Sequence, residues 1–116
     1  MKLTNDDFET FKKECEFWID FFGLSDWKVI YEFKRINDAF ACCYSDSIGR
    51  CATISLNNGE HEYITDIKKA AFHEVCELML SDMHAYLSDF YSEGVCQQQT
   101  HYIIRKLENS VYKTLK

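Results

Sequence analysis

The apolar residues Phe8, Phe11, Cys15, Trp18 and Phe22 fall three or four positions apart, with Lys12, Lys13, Glu14 and Asp20 mostly elsewhere. That spacing makes one broad apolar stripe on a helix. Thr4-Asn5-Asp6-Asp7 offers a capping hydroxyl and carboxylates for the positive end, and Gly23 offers a stop. The pattern predicts a helix over residues 5–22. The period then switches to two. Trp27, Val29, Tyr31 and Phe33 share one face, and Lys28, Glu32 and Lys34 share the other, as in a half-buried strand. After a turn over Arg35 to Asp38, a second strand is expected from Ala39 to Tyr44. Ser45 to Gly49 reads as a hairpin loop. A third strand is expected from Arg50 to Asn57, with Ala52, Ile54 and Leu56 on one face, and Asn57-Asn58-Gly59 closing it. Three strands joined by short loops predict an antiparallel meander.

Helical spacing returns near residues 63–66 and runs to about Ser81. Ile64, Ile67, Ala71, Val75 and Leu78 form its main stripe. At about 100° per residue, His73 and Glu77 fall nearly opposite that stripe, beside Ala70 and Leu80. Between Ala70 and Leu80 the helix is apolar almost all round, as expected of a central, buried element. Met83 to Tyr91 reads as a short continuation and Ser92-Glu93-Gly94 as a loop. A last helix is expected over residues 96–114, with Ile103, Ile104, Leu107, Val111 and Leu115 on its core face and His101 at the edge. The order gives a single α+β domain over residues 1–116. It has an N-terminal helix, a three-stranded antiparallel meander, a central helix and a C-terminal helix, with helices on one face of the sheet.

Composition bounds the partners. The chain has 116 residues with nine Phe, seven Tyr and two Trp, enough for a core without disulfide staples. A net charge of −6 without a basic stripe argues against nucleic-acid binding. It leaves a basic partner, mimicry of nucleic-acid charge, or plain solubility. The six cysteines contain no C-x-x-C pair, which argues against a zinc knuckle. A link from Cys42 or Cys43 to Cys51 is possible where those segments pair. No leader-like stretch follows Met1 and no apolar run spans a membrane, so a reducing cytoplasm is the expected compartment.

The chemistry concentrates in the central helix. His73, Glu74 and Glu77 are ionisable groups in an apolar run, and such groups are costly to bury unless paired or metal-bound. His73 and Glu77, one turn apart, can share one ion. Glu74 would then be placed to take a proton from water at the metal. A catalytic zinc site needs a third ligand. His101 is the first candidate, because the last helix should pack against the central one; His84 and His61 rank behind it. The plainer alternative is a hydrogen-bonded core histidine, with Glu77 paired to Lys69 or Arg105. Cys76 points away from His73 and reads as packing.

Four stretches carry a resemblance over nearly the whole chain: Asp26-Trp27-Lys28-Val29, Thr53-Ile54-Ser55-Leu56-Asn57, Ala70 to Leu80, and Gln97 to Asn109. Together they resemble the small zincin-like metallopeptidases encoded by phages and bacteria. Those have an N-terminal helix, a three-stranded meander, an H-E-x-x-H helix and a closing helix with a further ligand. The resemblance implies His73 as the first zinc ligand and Glu74 as general base. Glu77 stands where the second His is expected, so the motif here is H-E-x-x-E. Two functions follow. One is a metal-dependent hydrolase, a peptidase with His73, Glu77 and His101 on zinc and an extended peptide along the sheet edge. The other is a catalytically inert phage protein of this fold. It would bind a host protein in the host cytoplasm, with the aromatics of Tyr86 to Tyr91 as contacts. A purely structural metal site is a third reading.

Overall fold

The structure, a computed structural model, describes residues 1–115. Helix α1 spans Asn5–Phe21. Its start is a reciprocal capping box: Asp7 N donates to Thr4 Oγ1 at 3.1 Å, and Thr4 N donates to Asp7 Oδ2 at 2.8 Å. Gly23, with φ +69°, lets the chain leave the helix in the left-handed region that glycine favours. Phe11, Cys15 and Trp18 are fully buried, and Phe8 stacks on Phe33 of the sheet at 5.1 Å.

Three strands follow: β1 (Lys28–Lys34), β2 (Ala41–Asp46) and β3 (Cys51–Asn57). Their order in space is β1-β3-β2, with β1 parallel and β2 antiparallel to β3. The predicted antiparallel meander is therefore wrong: the sheet is mixed, and the last strand is its centre. The side chains explain why. A central strand is covered on both sides, and β3 meets that demand with Ala52, Ile54 and Leu56 facing the helices and a small, fully buried Ser55 on the other face. β2 reads Ala-Cys-Cys-Tyr-Ser-Asp, and its last three residues are exposed, as suits an edge. β2 also starts two residues later than its pattern predicts.

This order forces the connection over residues 35–40 to step across the end of β3, about 9.5 Å sideways. Asn57, the last residue of β3, holds the step. Its Nδ2 donates to the carbonyls of Ile36 and Ala39, both at 2.8 Å, and its Oδ1 accepts from the N–H groups of Ile36 at 3.1 Å and Gly59 at 2.8 Å. At the opposite end of the sheet Arg50 ties the β2–β3 turn down. Its guanidinium lies 4.0 Å over the Trp27 ring and pairs with Asp26 at 2.6 Å and Asp82 at 2.8 Å.

Helix α2 spans Ile67–Leu87, capped by the Asp66 carboxylate on the N–H groups of Lys68 and Lys69. Ile64, expected on its core stripe, lies before the helix and is exposed. The short helix expected from Met83 is the last part of α2 itself, and the chain turns after Leu87. Ser92 caps helix α3, Glu93–Leu107, so the predicted loop Ser92-Glu93-Gly94 is a helix start. One wide π-helical turn, Glu108–Tyr112, and a short helix α4, Lys113–Leu115, end the described chain. Leu115 is exposed and takes no part in the core. Ala71, Phe72, Val75 and Leu78 of α2 are buried, and the Phe72 ring meets Trp18 at 4.7 Å and Tyr112 at 5.1 Å. No helix among the described residues is long and apolar enough to cross a membrane.

Candidate metal centre

α2 turns its apolar stripe toward α1 and the sheet, so His73 and Glu77 come round toward α3. The contacts between the two helices fix an antiparallel register: His84 meets Glu93 and Thr100, Glu77 meets His101, and His73 meets Glu108. This brings together the three residues named as ligands. His101 Nε2 lies 2.9 Å and His73 Nε2 3.5 Å from the same oxygen, Glu77 Oε1, and the two imidazole centroids are 5.4 Å apart. One ligand atom from each residue lies within 4.8 Å of the others. Donor atoms on a tetrahedral zinc sit about 3.3 Å apart, given bonds of about 2.0–2.1 Å. The two nitrogen–oxygen distances, 2.9 and 3.5 Å, bracket that separation. Two imidazoles and one carboxylate form a donor set found in catalytic zinc sites. The residues present therefore fit a zinc ion.

The electrostatics couple the three groups. Glu77 beside it holds the His73 imidazole above its ordinary pKa, with Glu74 and Glu108 adding to the effect against the opposing pull of burial. Glu77 is held below the ordinary carboxylate range by His73, with His101 reinforcing it. Without metal the cluster is a charge-assisted hydrogen-bond centre, and a cation entering it displaces imidazole protons. Glu77 pairs with His73 and His101 and not with Lys69 or Arg105, so of the plainer alternative the paired histidine is present and the expected cationic partner is not.

Glu74 lies outside the three-residue cluster. It points from the next position on α2 into the core, 9 % exposed, and burial pushes its carboxyl up to about 7. Burial raises the thiol pKa values of Cys43 and Cys42 on β2 and of Cys15 on α1, and the nearby Glu74 charge adds to it. His84 does not join the cluster: it bridges α2 to α3 through Glu93 at 3.0 Å. His61 is far along the chain's other end of the sheet, on the Asn57 carbonyl at 3.0 Å and against the Phe40 ring. Cys76 is buried in the core. All six cysteines are free, and strand register sets Cys42 opposite Ser55, Cys43 opposite Ile54 and Cys51 opposite Asp46, so the conceivable link to Cys51 does not form.

A cavity of about 440 Å³ opens beside the cluster, between β2, α2 and α3. Glu77 and His101 close one end, Ser81 and Gln97 line its middle, and Glu93 lies at the far end. Its third wall is β2, from Cys43 to Ser45, the free antiparallel edge of the sheet. The exposed aromatics Tyr86, Phe90 and Tyr91 do not line it; they lie at the last turn of α2 and just after it, where Tyr86 and Phe90 face each other at 5.4 Å.

Glu108 is the participant that the sequence reading passed over. Its Oε2 lies 3.5 Å from His73 Nδ1, and its side chain is 14 % exposed. The available signal was spacing: Glu108 follows His101 by seven residues, two turns of the same helix face. Compared with protein-family models, with curated proteins and with solved structures, the chain matches none.

Proposed function

We propose that this chain is a zincin-like, zinc-dependent hydrolase acting on peptides, with His73, Glu77 and His101 as metal ligands and Glu74 as general base. The observation that carries the reading is the convergence of two imidazole nitrogens on one carboxylate oxygen at the end of a groove walled by a free strand edge. A zinc ion held there supplies Lewis acidity toward a peptide carbonyl and lowers the pKa of water. The chain's own residues do the rest. Relative to the family pattern, a carboxylate stands at the second ligand position and an imidazole on the closing helix. The donor set keeps two histidines and one glutamate. As general base Glu74 would have to turn from the core, where the structure holds it, toward the cluster; its carboxyl, pushed by burial up to about 7, suits a group that takes a proton and returns it to the leaving amine. The unpaired backbone of β2 offers donors and acceptors to an extended peptide, aligning it past Glu77 and His101. Free thiols suit a reducing cytoplasm.

The test is hydrolysis of a quenched fluorescent peptide library by the zinc-loaded protein, with Glu74→Gln as the control. Cleavage by the native protein that Glu74→Gln abolishes, at unchanged zinc content, supports the reading. A protein with one zinc per chain and no cleavage of any peptide sinks the peptidase. One observation favours a second reading in that case. Tyr86, Phe90 and Tyr91 are exposed by 60–67 % at one end of the molecule, the surface expected of a catalytically inert protein that binds a partner protein.

A further inference from the structure

His73 has two ring nitrogens, and they face different carboxylates. Nε2 looks toward Glu77 and the cluster, and Nδ1 looks toward Glu108. The two nitrogens lie on separate edges of the ring, so an ion bound at Nε2 is out of reach of Glu108. We infer that Glu108 is a positioning residue: it accepts the Nδ1 proton of His73 and so presents an unprotonated Nε2 to the metal. This rests on the metal-centre reading above.

Two observations and one general rule support that role. The Glu108 side chain is the least exposed of the four, at 14 % against 32 % for His73 and Glu77 and 44 % for His101. Among the described residues, His73 is its ion-pair partner. A carboxylate this enclosed is held by the donor it faces, because an unpaired buried charge is expensive. The backbone also fixes its place. Glu108 lies about 20° from His101 around α3, so both reach the same side of α2. The wide turn that begins at Glu108 then carries Tyr112 onto Phe72 and Trp18, anchoring the segment just past the carboxylate. Finally, a metal-bound imidazole usually donates its other N–H to a carboxylate or carbonyl. That bond sets the tautomer and ring plane, and its loss typically weakens metal binding about 10–100-fold.

The experiment uses the full chain and the variants Glu108→Ala, Glu108→Gln and Ile104→Val, the last a mild core change on the same helix. Zinc dissociation constants are measured by competition with a chromophoric chelator. The ring nitrogens of His73 are read by ¹⁵N NMR in the metal-free protein, at alkaline pH where the ring is neutral. The expected result is that Glu108→Ala weakens zinc binding about 10–100-fold, Glu108→Gln recovers most of it because its amide oxygen still accepts, and Ile104→Val leaves it unchanged. In the native protein the His73 proton sits on Nδ1, and in Glu108→Ala that preference is lost. The inference is overturned if the proton sits on Nε2 in the native protein, or if Glu108→Ala leaves the tautomer unchanged. Equal weakening of zinc binding by all three variants overturns it too, since that reports stability alone. A native protein that binds no zinc refutes the metal centre, and the NMR result then decides the Glu108–His73 contact by itself.

Discussion

Replacing Asn57 by Ala should destabilise the protein far more than the loss of one small side chain suggests. The side chain is 7 % exposed and makes four hydrogen bonds to backbone groups: the N–H and C=O of Ile36, the C=O of Ala39 and the N–H of Gly59. These replace the strand ladder that an adjacent β1–β2 hairpin would have formed. At about 0.5–1.5 kcal/mol per bond, the four bonds contribute about 2–6 kcal/mol. The connection over residues 35–40 is partly open, so water recovers some of the orphaned groups and the lower half, about 2–4 kcal/mol, is the expected loss. With a urea dependence of about 2 kcal/mol per molar, the unfolding midpoint falls by about 1–2 M with an unchanged slope. Asn57→Asp is the sharper control. It keeps the two acceptor contacts and sets a carboxylate against the Ile36 and Ala39 carbonyls, so it should lose at least as much. Equilibrium urea unfolding followed by tryptophan fluorescence reads both. A midpoint shift below about 0.3 M for Asn57→Ala would refute the reasoning, because the step across β3 would then be held by something else.

Other outcomes follow from the site. His101→Ala abolishes zinc binding whereas His84→Ala retains it, since His84 serves the α2–α3 contact with Glu93 and Thr100; isothermal titration with zinc separates them, and equal losses would contradict the ligand assignment. The pH dependence of the metal-free protein carries a second check. Burial raises Glu74 to about 7, above an ordinary carboxylate, so the folded state binds this proton more tightly than the unfolded chain. Stability therefore falls as pH rises from about 4.5 to about 7, by at most about 3 kcal/mol from this group. Glu74→Gln removes that part of the slope, and parallel pH profiles for the two proteins in urea melts would rule it out. His73, raised by Glu77 first and then by Glu74 and Glu108, adds a loss in the same direction, smaller in Glu74→Gln where one of those carboxylates is gone.

What the sequence made legible follows from periodicity. The stripe from Phe8 to Trp18 and its capping residues mark α1 closely, and the all-round apolar run from Ala70 to Leu80 marks the buried middle of α2. Strand order was not legible, because alternation says which face of a strand is buried and not which strand is central. The clue was the small buried Ser55 between Ile54 and Leu56, against the polar end of β2, and it carries weight only once pairing is known. Asn57 reads as the end of the third strand and the start of its closing turn, and its wider role was not legible because it bonds backbone groups about twenty positions away. At the site, the i and i+4 pair and the packing of the last helix on the central one were enough to bring His73, Glu77 and His101 into one group. Glu108 escaped because its partner is the far nitrogen of His73, a contact set by the antiparallel register of two helices. The start of α3 was misread for a local reason: Ser92-Glu93-Gly94 looks like a loop, but Ser92 caps and Glu93 favours the positive end of a helix.

The central claim is a zinc ion shared by His73, Glu77 and His101. It is tested most directly by the metal content of the protein after equilibration with zinc and exhaustive dialysis, read by plasma mass spectrometry for the native chain and for His73→Ala. The account predicts close to one zinc per native chain and none in the variant. A native chain that emerges without metal, or a variant that keeps as much as the native protein, contradicts it.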